Sequence, residues 1–545
     1  MHRNPGIDRV CNGCYAGRSD CLQWDRGQAD LSRFSRTCKA FGAILQPLVF
    51  QSFQADSQGD DSDDNSKSDV ANNNYLRRVV QLTRSLIARP DLAGCLRSLS
   101  FCVRWYPGVL TPDDRQFVED KVVSLGLPAL PHFWNSAASE VEMRNNYRRQ
   151  YPLVPLELAL IHAPAIQYLK FPCGQDWELT ILPALALQQR KNQANKTKTN
   201  SAGAKHNNLT VSFLHLHTIN IAEVPKYLFG SLYQITPTTV PIDLIQSAPN
   251  LRALSLPSDP GQLLPRRDNP RKRKKGPVPQ RLPQFPHLRR IHFQKRNNLR
   301  LQALGRLVAA TPQLEALALQ WAPVLPWTPP LSLFPNAVNM RRKRTTDLWK
   351  WLRKVRHTLR ELRLEVAGNC IEPLFEPRVD GEVEALVNGQ PSQLIRGRES
   401  MRDLERLEHV SLGAKVVRAL WEVWRMRRAH WSGEEERAVT LFFLELFPPT
   451  VRTITFWGSA TSPTDSPKAF GQFAYEVGRG GRYPNLESVL IAPYQSDEAH
   501  WYGGTPVYWP YQAQKYAKQE FARAGVHFSV IYKRIVWQYD DIDDL

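Results

Sequence analysis

The sequence predicts an α/β solenoid, an arc with short parallel strands inside and helices outside, preceded by a short helical segment. Three observations predict it. An apolar frame recurs through the chain: an apolar residue, two spacers, a second apolar residue, one spacer and a third, as in Leu251-Arg-Ala-Leu254-Ser-Leu256. Six copies have a proline two residues before the first apolar position. Upstream of most copies lie apolar residues at helical spacing, such as Leu301, Leu304, Leu307 and Val308, or Leu348, Trp351, Leu352 and Val355.

The frame appears ten times, at Leu96/Leu99/Phe101, Ile166/Leu169/Phe171, Leu216/Ile219/Ile221, Leu251/Leu254/Leu256, Leu288/Ile291/Phe293, Leu314/Leu317/Leu319, Leu359/Leu362/Leu364, Leu407/Val410/Leu412, Val451/Ile454/Phe456 and Leu486/Val489/Ile491. Such self-similarity is the mark of a repeat architecture. The six prolines are Pro164, Pro249, Pro286, Pro312, Pro449 and Pro484. Proline cannot continue a helix and drives its predecessor towards extended geometry, so each marks where a helix stops and a strand begins. Along a strand successive side chains face opposite ways, so Leu254 and Leu256 point inward while Ala253 and Ser255 point outward. One unit cannot bury its own apolar face, so neighbouring units must stack on it. With these features the chain resembles the leucine-rich repeat family, in the irregular form found in fungal F-box proteins, over residues 75–535.

Residues 1–28 hold Cys11-Asn-Gly-Cys14 and Cys21, which resemble the opening half of a fungal binuclear zinc cluster. Six thiolates would be needed and only Cys38 follows nearby, so no metal is expected and the segment is predicted to be disordered. In residues 29–53, Leu31, Phe34, Cys38, Phe41 and Leu45 recur at three- and four-residue steps, one apolar face of a short helix, which the resemblance named next implies should end before Pro47. The Cys38-Lys-x-Phe41 element and the following Pro47-x-x-Phe50 resemble the second half of an F-box; its Leu-Pro-x-Glu opening is absent. The resemblance implies that Leu31, Phe34, Cys38, Phe41, Ile44, Pro47 and Phe50 bind a Skp-family adaptor and thereby a cullin ligase. A plain helix capping the solenoid is the alternative.

Residues 54–74, with Asp60, Asp61, Asp63 and Asp64 among Ser and Asn, read as an acidic linker. The solenoid then opens with a helix through Leu76, Val79, Val80, Leu86 and Ile87, and Thr111-Pro112 starts another that reaches Leu125. Residues 187–209 and the proline-rich 257–284 are predicted to be disordered insertions, which cost little to close. The second carries Arg266, Arg267, Arg271, Lys272, Arg273, Lys274 and Lys275, a candidate nuclear-import signal or a solvated basic loop. The net charge of +19 is local: residues 262–300 hold 13 Lys and Arg against one Asp, and 341–363 hold 10 against two acids. Without base-reading or base-stacking groups, nucleic acid is not an expected partner. Trp421, Trp424 and Trp431 read as core anchors on an outer helix, residues 511–524 and 527–531 as a closing helix and strand, and residues 536–545 as a solvated acidic tail.

No phosphate-cradling glycine loop, nucleophile elbow or paired-histidine metal helix occurs, and His215 and His217, expected to share one strand face, lack a third ligand. No cofactor and no catalysis by the chain itself are therefore expected. No apolar run could cross a bilayer and no secretory leader follows Met1, so a soluble chain of nucleus and/or cytoplasm, with no membrane partner, is expected. The candidate target-binding surface is the outward strand positions, above all Tyr168, Lys170, His217, Arg252, Arg289, His292, Arg360, Arg363, His409 and Arg452. The resemblance implies a substrate-recognition subunit that holds an unknown target protein near a ubiquitin-charged enzyme. A stand-alone repeat scaffold, and more remotely a zinc-cluster regulator, are the other classes.

Overall fold

A computed structural model describes residues 39–56, 68–102, 110–128, 153–173, 179–185, 188, 213–223, 244–245, 247–256, 284–293, 301–321, 351–366, 401–427, 435–457, 467–492 and 511–531. The zinc-like cysteines, Leu31, Phe34 and Cys38, the basic run 266–275 and the tail 536–545 lie outside the described residues, as do nearly all of 187–209 and 257–284. The chain divides into two compact units, one of residues up to Pro257 with Pro265–Leu288, the other of Ser258–Leu264 with Arg289–Leu545.

The first unit carries strands β1 (Ser52–Asp56), β2 (Ser98–Cys102), β3 (Tyr168–Cys173), β4 (Thr218–Glu223) and β5 (Ala253–Leu256). Each pairs in parallel with the next in chain order. The second carries β6 (Arg290–Phe293), β7 (Ala316–Trp321), β8 (Glu361–Val366), β9 (His409–Gly413), β10 (Thr453–Trp457), β11 (Ser488–Ala492) and β12 (His527–Val530), again parallel and sequential. In all ten predicted frames the second and third apolar residues fall on a strand and the first in the turn before it, and none of the thirty side chains is more than 6% exposed. At about 1.5–3 kcal/mol for each large apolar side chain removed from water, these ladders dominate the stability of the stack.

Each of the six prolines occupies the second position of a turn closed by the frame's first residue. Ile166 N–H reaches Ala163 O at 3.3 Å, Leu251 reaches Ala248 at 3.1 Å, and Leu486 reaches Tyr483 at 3.1 Å. Proline's fixed φ suits that position. The same turn forms without it at Phe213–Leu216 and Leu404–Leu407, which shows that the frame and not the proline specifies the bend.

Three boundaries differ from expectation. The strand array begins at β1, earlier than residue 75, because Phe50, Phe53 and Ala55 form a weak copy of the frame. Helix α1 (Lys39–Val49) runs through Pro47 instead of ending before it. A proline there removes one N–H near the helix end, and Phe50 N–H to Gln46 O at 3.0 Å still closes the last turn. Helix α2 (Ser68–Ala88) starts inside the expected acidic linker. Its Arg78 covers the open side of β1, lying 5.8 Å from the Phe53 ring and donating to Gln54 O at 3.2 Å.

Helices fill the other side of the sheet. In the first unit these include α3 (Pro90–Ala93), α4 (Pro112–Ser124) and α5 (Val154–Ile161). Thr111 caps α4 by accepting from Asp114 N–H at 3.2 Å, as its Thr-Pro start predicts. On α5, Glu157 is fully buried, and its two oxygens accept the N–H groups of Thr180 and Leu182, each at 2.7 Å. Burial pushes the carboxyl up to about 8, and the amide hydrogen bonds pull it only partway back.

In the second unit, α6 (Leu301–Ala310) precedes β7, and the helix expected through Val355 ends as a 3-10 turn, Arg353–Val355. Then come α7 (Ala414–Arg427), α8 (Glu435–Leu446), α9 (Pro467–Gly480) and α10 (Tyr511–Arg523). Phe443 of α8 meets Phe456 of β10 and Phe470 and Phe473 of α9 at centroid distances of 5.5–5.9 Å. Phe521 of α10 stacks on Phe528 of β12 at 5.4 Å. Trp421 and Trp424 stack at 5.3 Å against Phe442, so these two tryptophans are core anchors. Gly478, Gly480 and Gly481 end α9, with Gly481 in the left-handed region at φ 57°.

Two predictions arise here. A Cβ on Gly305 of α6 would lie 2.0 Å from the Trp351 ring. Gly305→Ala should therefore lower stability by about 1–3 kcal/mol despite its better helix propensity. Gly94→Ala, whose nearest contact would be 3.5 Å, serves as the neutral control in urea unfolding. Second, Glu157 in the folded chain keeps a proton that the unfolded chain releases. Its contribution is fully present below the ordinary carboxyl pKa of 4.5 and is lost as pH rises through about 8. The urea midpoint of the first unit should fall over that window, and Glu157→Gln should remove that part of the slope.

Candidate functional site

The residue just before each strand does two things. Before nine of the strands its carbonyl accepts two successive amides from the next unit: Gln167 O takes His217 N–H at 2.9 Å and Thr218 N–H at 3.0 Å, and His217 O takes Arg252 and Ala253 at 2.7 and 2.9 Å. Its side chain stands at the edge of the sheet, beside the turn. In the second unit this row reads Arg289, Glu315, Arg360, Glu408, Arg452, Glu487, alternating in sign at every step. Arg289 pairs with Glu315 at 3.1 Å, Arg360 with Glu408 at 3.9 Å, and Arg452 with Glu487. Each exposed pair is worth little alone, about 0–1 kcal/mol at most, yet the alternation disfavours any like-charged neighbour in the stack.

The expected binding residues therefore separate into distinct rows. His217, Arg252, Arg289, Arg360 and Arg452 stand in the edge row and not on the strand face. His215 lies in the turn before β4, so it and His217 do not share a strand face. The strands begin one residue later than the frame suggests, after the forked carbonyl. Burial, then the charges of Arg252 and His215, hold the His217 imidazole below its usual pKa. Tyr168 and Lys170 do stand on the strand face of the first unit, level with Thr218 and Asn220. In the second unit His292, Arg363 and His409 do so, but His292 is 8% exposed and part of the interior.

The residues that come together most closely are on β8 to β10. Trp457, at the end of β10, is level with Gly413 of β9, which puts no side chain in its way. The indole N–H donates to Ser411 Oγ at 2.5 Å, and the Arg363 guanidinium of β8 lies 5.2 Å from the ring centroid. Beside them His409 Nδ1 is 2.9 Å from Thr453 Oγ1. Burial pushes the neighbouring Glu361 carboxyl up, against the pull of His409, Arg290 and Arg363. The Arg363 guanidinium and the Trp457 indole thus form a cationic and aromatic cluster across three strands. Arg363 and His409 were legible as outward residues. Trp457 and Ser411 were missed, although Trp457 directly follows Phe456 and must face outward by the two-residue period.

A shallow cleft of about 480 Å³ also opens at the edge row, between Arg360, Arg406, Arg452, Glu408, Asn485 and Glu487. Its cations and carboxylates largely neutralise one another. Of the F-box-like positions, Ile44 is 65% exposed, Pro47 and Phe50 are half-buried, and Leu48, four residues after Ile44, is 46% exposed. Phe41 lies within α1. Among the described residues no group of three or more His, Cys, Asp or Glu could hold a metal, and no helix is long and apolar enough to cross a membrane.

These features define the protein as an α/β repeat protein with parallel strands in chain order and a cationic and aromatic cluster on one strand face. No family model, curated protein or solved structure matches the chain.

The cluster generates a prediction. Trp457→Phe and Ser411→Ala, combined in a double-mutant cycle by urea unfolding, should show a coupling of about 0.5–1.5 kcal/mol, the usual worth of one hydrogen bond. Additive effects would mean that the indole N–H is as well satisfied elsewhere.

Proposed function

We propose that this chain is a substrate-recognition subunit of a Skp-cullin-F-box ubiquitin ligase. Helix α1 docks on the Skp-family adaptor, and the strand face of the repeats holds a target protein. The observation that carries the tether is the pair Ile44 and Leu48, 65% and 46% exposed on successive turns of α1. Such a pair left in water is worth about 1.5–3 kcal/mol per side chain when a partner covers it. The Cys38-Lys-x-Phe41 and Pro47-x-x-Phe50 elements lie on or beside the same helix. The chain performs no chemistry in this reading; it raises the effective concentration of the target at the ligase.

A second reading, a stand-alone repeat scaffold, is favoured by the order α1, turn, β1. Gln51 O accepts Arg97 N–H at 2.8 Å and Ser98 N–H at 3.0 Å, as Gln167 O accepts its pair from the next unit. An ordinary first repeat would do the same.

The test is adaptor capture by the full chain and by an Ile44→Glu, Leu48→Glu variant. Both residues are too exposed to disturb the fold. The ligase reading expects capture by the wild type and a loss of at least about tenfold in the variant. A folded wild-type chain that captures no adaptor would establish the scaffold reading instead.

A further inference from the structure

The edge row of the second unit has an order that pairing within one copy does not require. Arg289, Glu315, Arg360, Glu408, Arg452 and Glu487 come from six successive units, three guanidinium groups and three carboxylates. The main chain fixes their pitch, because the N–H of each donates to the carbonyl of the one before it at 2.7–2.8 Å. They span five strand spacings, about 24 Å. All six side chains are 29–55% exposed, so the row faces solvent. Its charges sum to zero, and a partner of a single sign would meet as much repulsion as attraction along it.

A row that alternates in sign and has an even number of members is complementary to itself run backwards. A twofold axis normal to the sheet between β8 and β9 sets Arg289 opposite Glu487 of a second copy, Glu315 opposite Arg452, and Arg360 opposite Glu408. Every guanidinium then has a carboxylate across the contact as well as beside it.

The turns obey the same operation. Two residues before each frame stand Pro286, Pro312, His357, Glu405, Pro449 and Pro484, all exposed. Reversed, this row sets proline opposite proline at its outer places and His357 opposite Glu405, a pair that already meets within one copy at 2.8 Å. In the intervening positions Arg406 falls opposite Thr358, and no like charges face one another. In-copy pairing accounts for the alternation of Arg and Glu but is indifferent to this order of the turns. Self-complementarity of one patch is what a twofold contact demands.

We propose that this edge is an interface between two copies of the chain, related by a twofold axis between β8 and β9. It goes beyond target recognition and holds whether or not α1 captures an adaptor. A strip this narrow buries less than the about 800 Å² per partner of a stable complex, so the dimer is weak, with a Kd of about 10–100 μM, and is held largely by charge.

The test is sedimentation of the full chain over a concentration series. At about 50 mM salt the mass should rise from 62.4 kDa towards twice that value. At about 0.5 M salt, where screening shortens to a few ångströms, association should weaken by at least about tenfold. Arg360→Glu and Glu408→Arg each place like charges across the axis, and each variant alone should associate at least about tenfold more weakly than the wild type. Mixed in equal amounts they set two carboxylates of one copy against two guanidinium groups of the other, and the dimer should return. A folding defect or a purely in-copy role would give no such rescue. A wild-type chain monomeric at about 0.5 mM, a dimer unaffected by salt or by either variant, or a mixture no more associated than its components would overturn the proposal.

Discussion

A turn and a strand of four to six residues with three apolar side chains on one side cannot bury them alone, and everything else in this chain follows from that constraint. Each strand is covered by its neighbours along the sheet and by a helix behind. The main-chain expression of the same constraint is the forked carbonyl before nine of the strands, which receives two amides from the next unit. It fixes where each strand starts and aligns Leu99, Leu169, Ile219 and Leu254 into one ladder and Ile291, Leu317, Leu362, Val410, Ile454 and Val489 into another.

Once the strands are aligned, their outward side chains have no freedom to choose neighbours. Edge residues that follow the frame's first apolar position become a row in which a charge always faces the residues one unit away. In the second unit the alternation of Arg and Glu makes those forced contacts favourable. Three to five positions further on, the rows on the strand face bring Arg363, Ser411 and Trp457 together from three strands, although 48 residues separate the first two and 46 the last two. This cluster thus costs the fold nothing extra: it is made of positions that the buried ladder leaves over.

The two units are held by different chemistry behind the sheet. In the first, a buried Glu157 ties α5 to the Thr180–Leu182 backbone through two hydrogen bonds. In the second, phenylalanines of α8, α9, α10, β10 and β12 interlock in edge-to-face, tilted and stacked pairs, and two helix glycines, Gly305 and Gly471, let aromatic rings lie against the backbone. Aromatic packing of this kind adds about 0.5–1.5 kcal/mol per pair beyond area alone. It also makes the interior intolerant of added atoms.

The amino-acid sequence by itself determined the repeat, because burial of Leu251, Leu254 and Leu256 depends on a local period that any strand imposes. It determined the turns too, since Pro164 or Pro484 can occupy few places in a bend. It did not show that Phe50, Phe53 and Ala55 start the array, because an alanine and a helix running through Pro47 disguise the frame until the pairing of β1 with β2 is seen. Nor did it show that His217, Arg252 and Arg452 stand at an edge while Arg363 and His409 stand on a face. A one-residue offset in the strand start decides that, and the offset is set by hydrogen bonds to the preceding unit. Glu157 and the Trp457 cluster belonged to tertiary structure alone: their partners are distant in sequence, and only packing brings a carboxylate to Leu182 or an indole to Ser411.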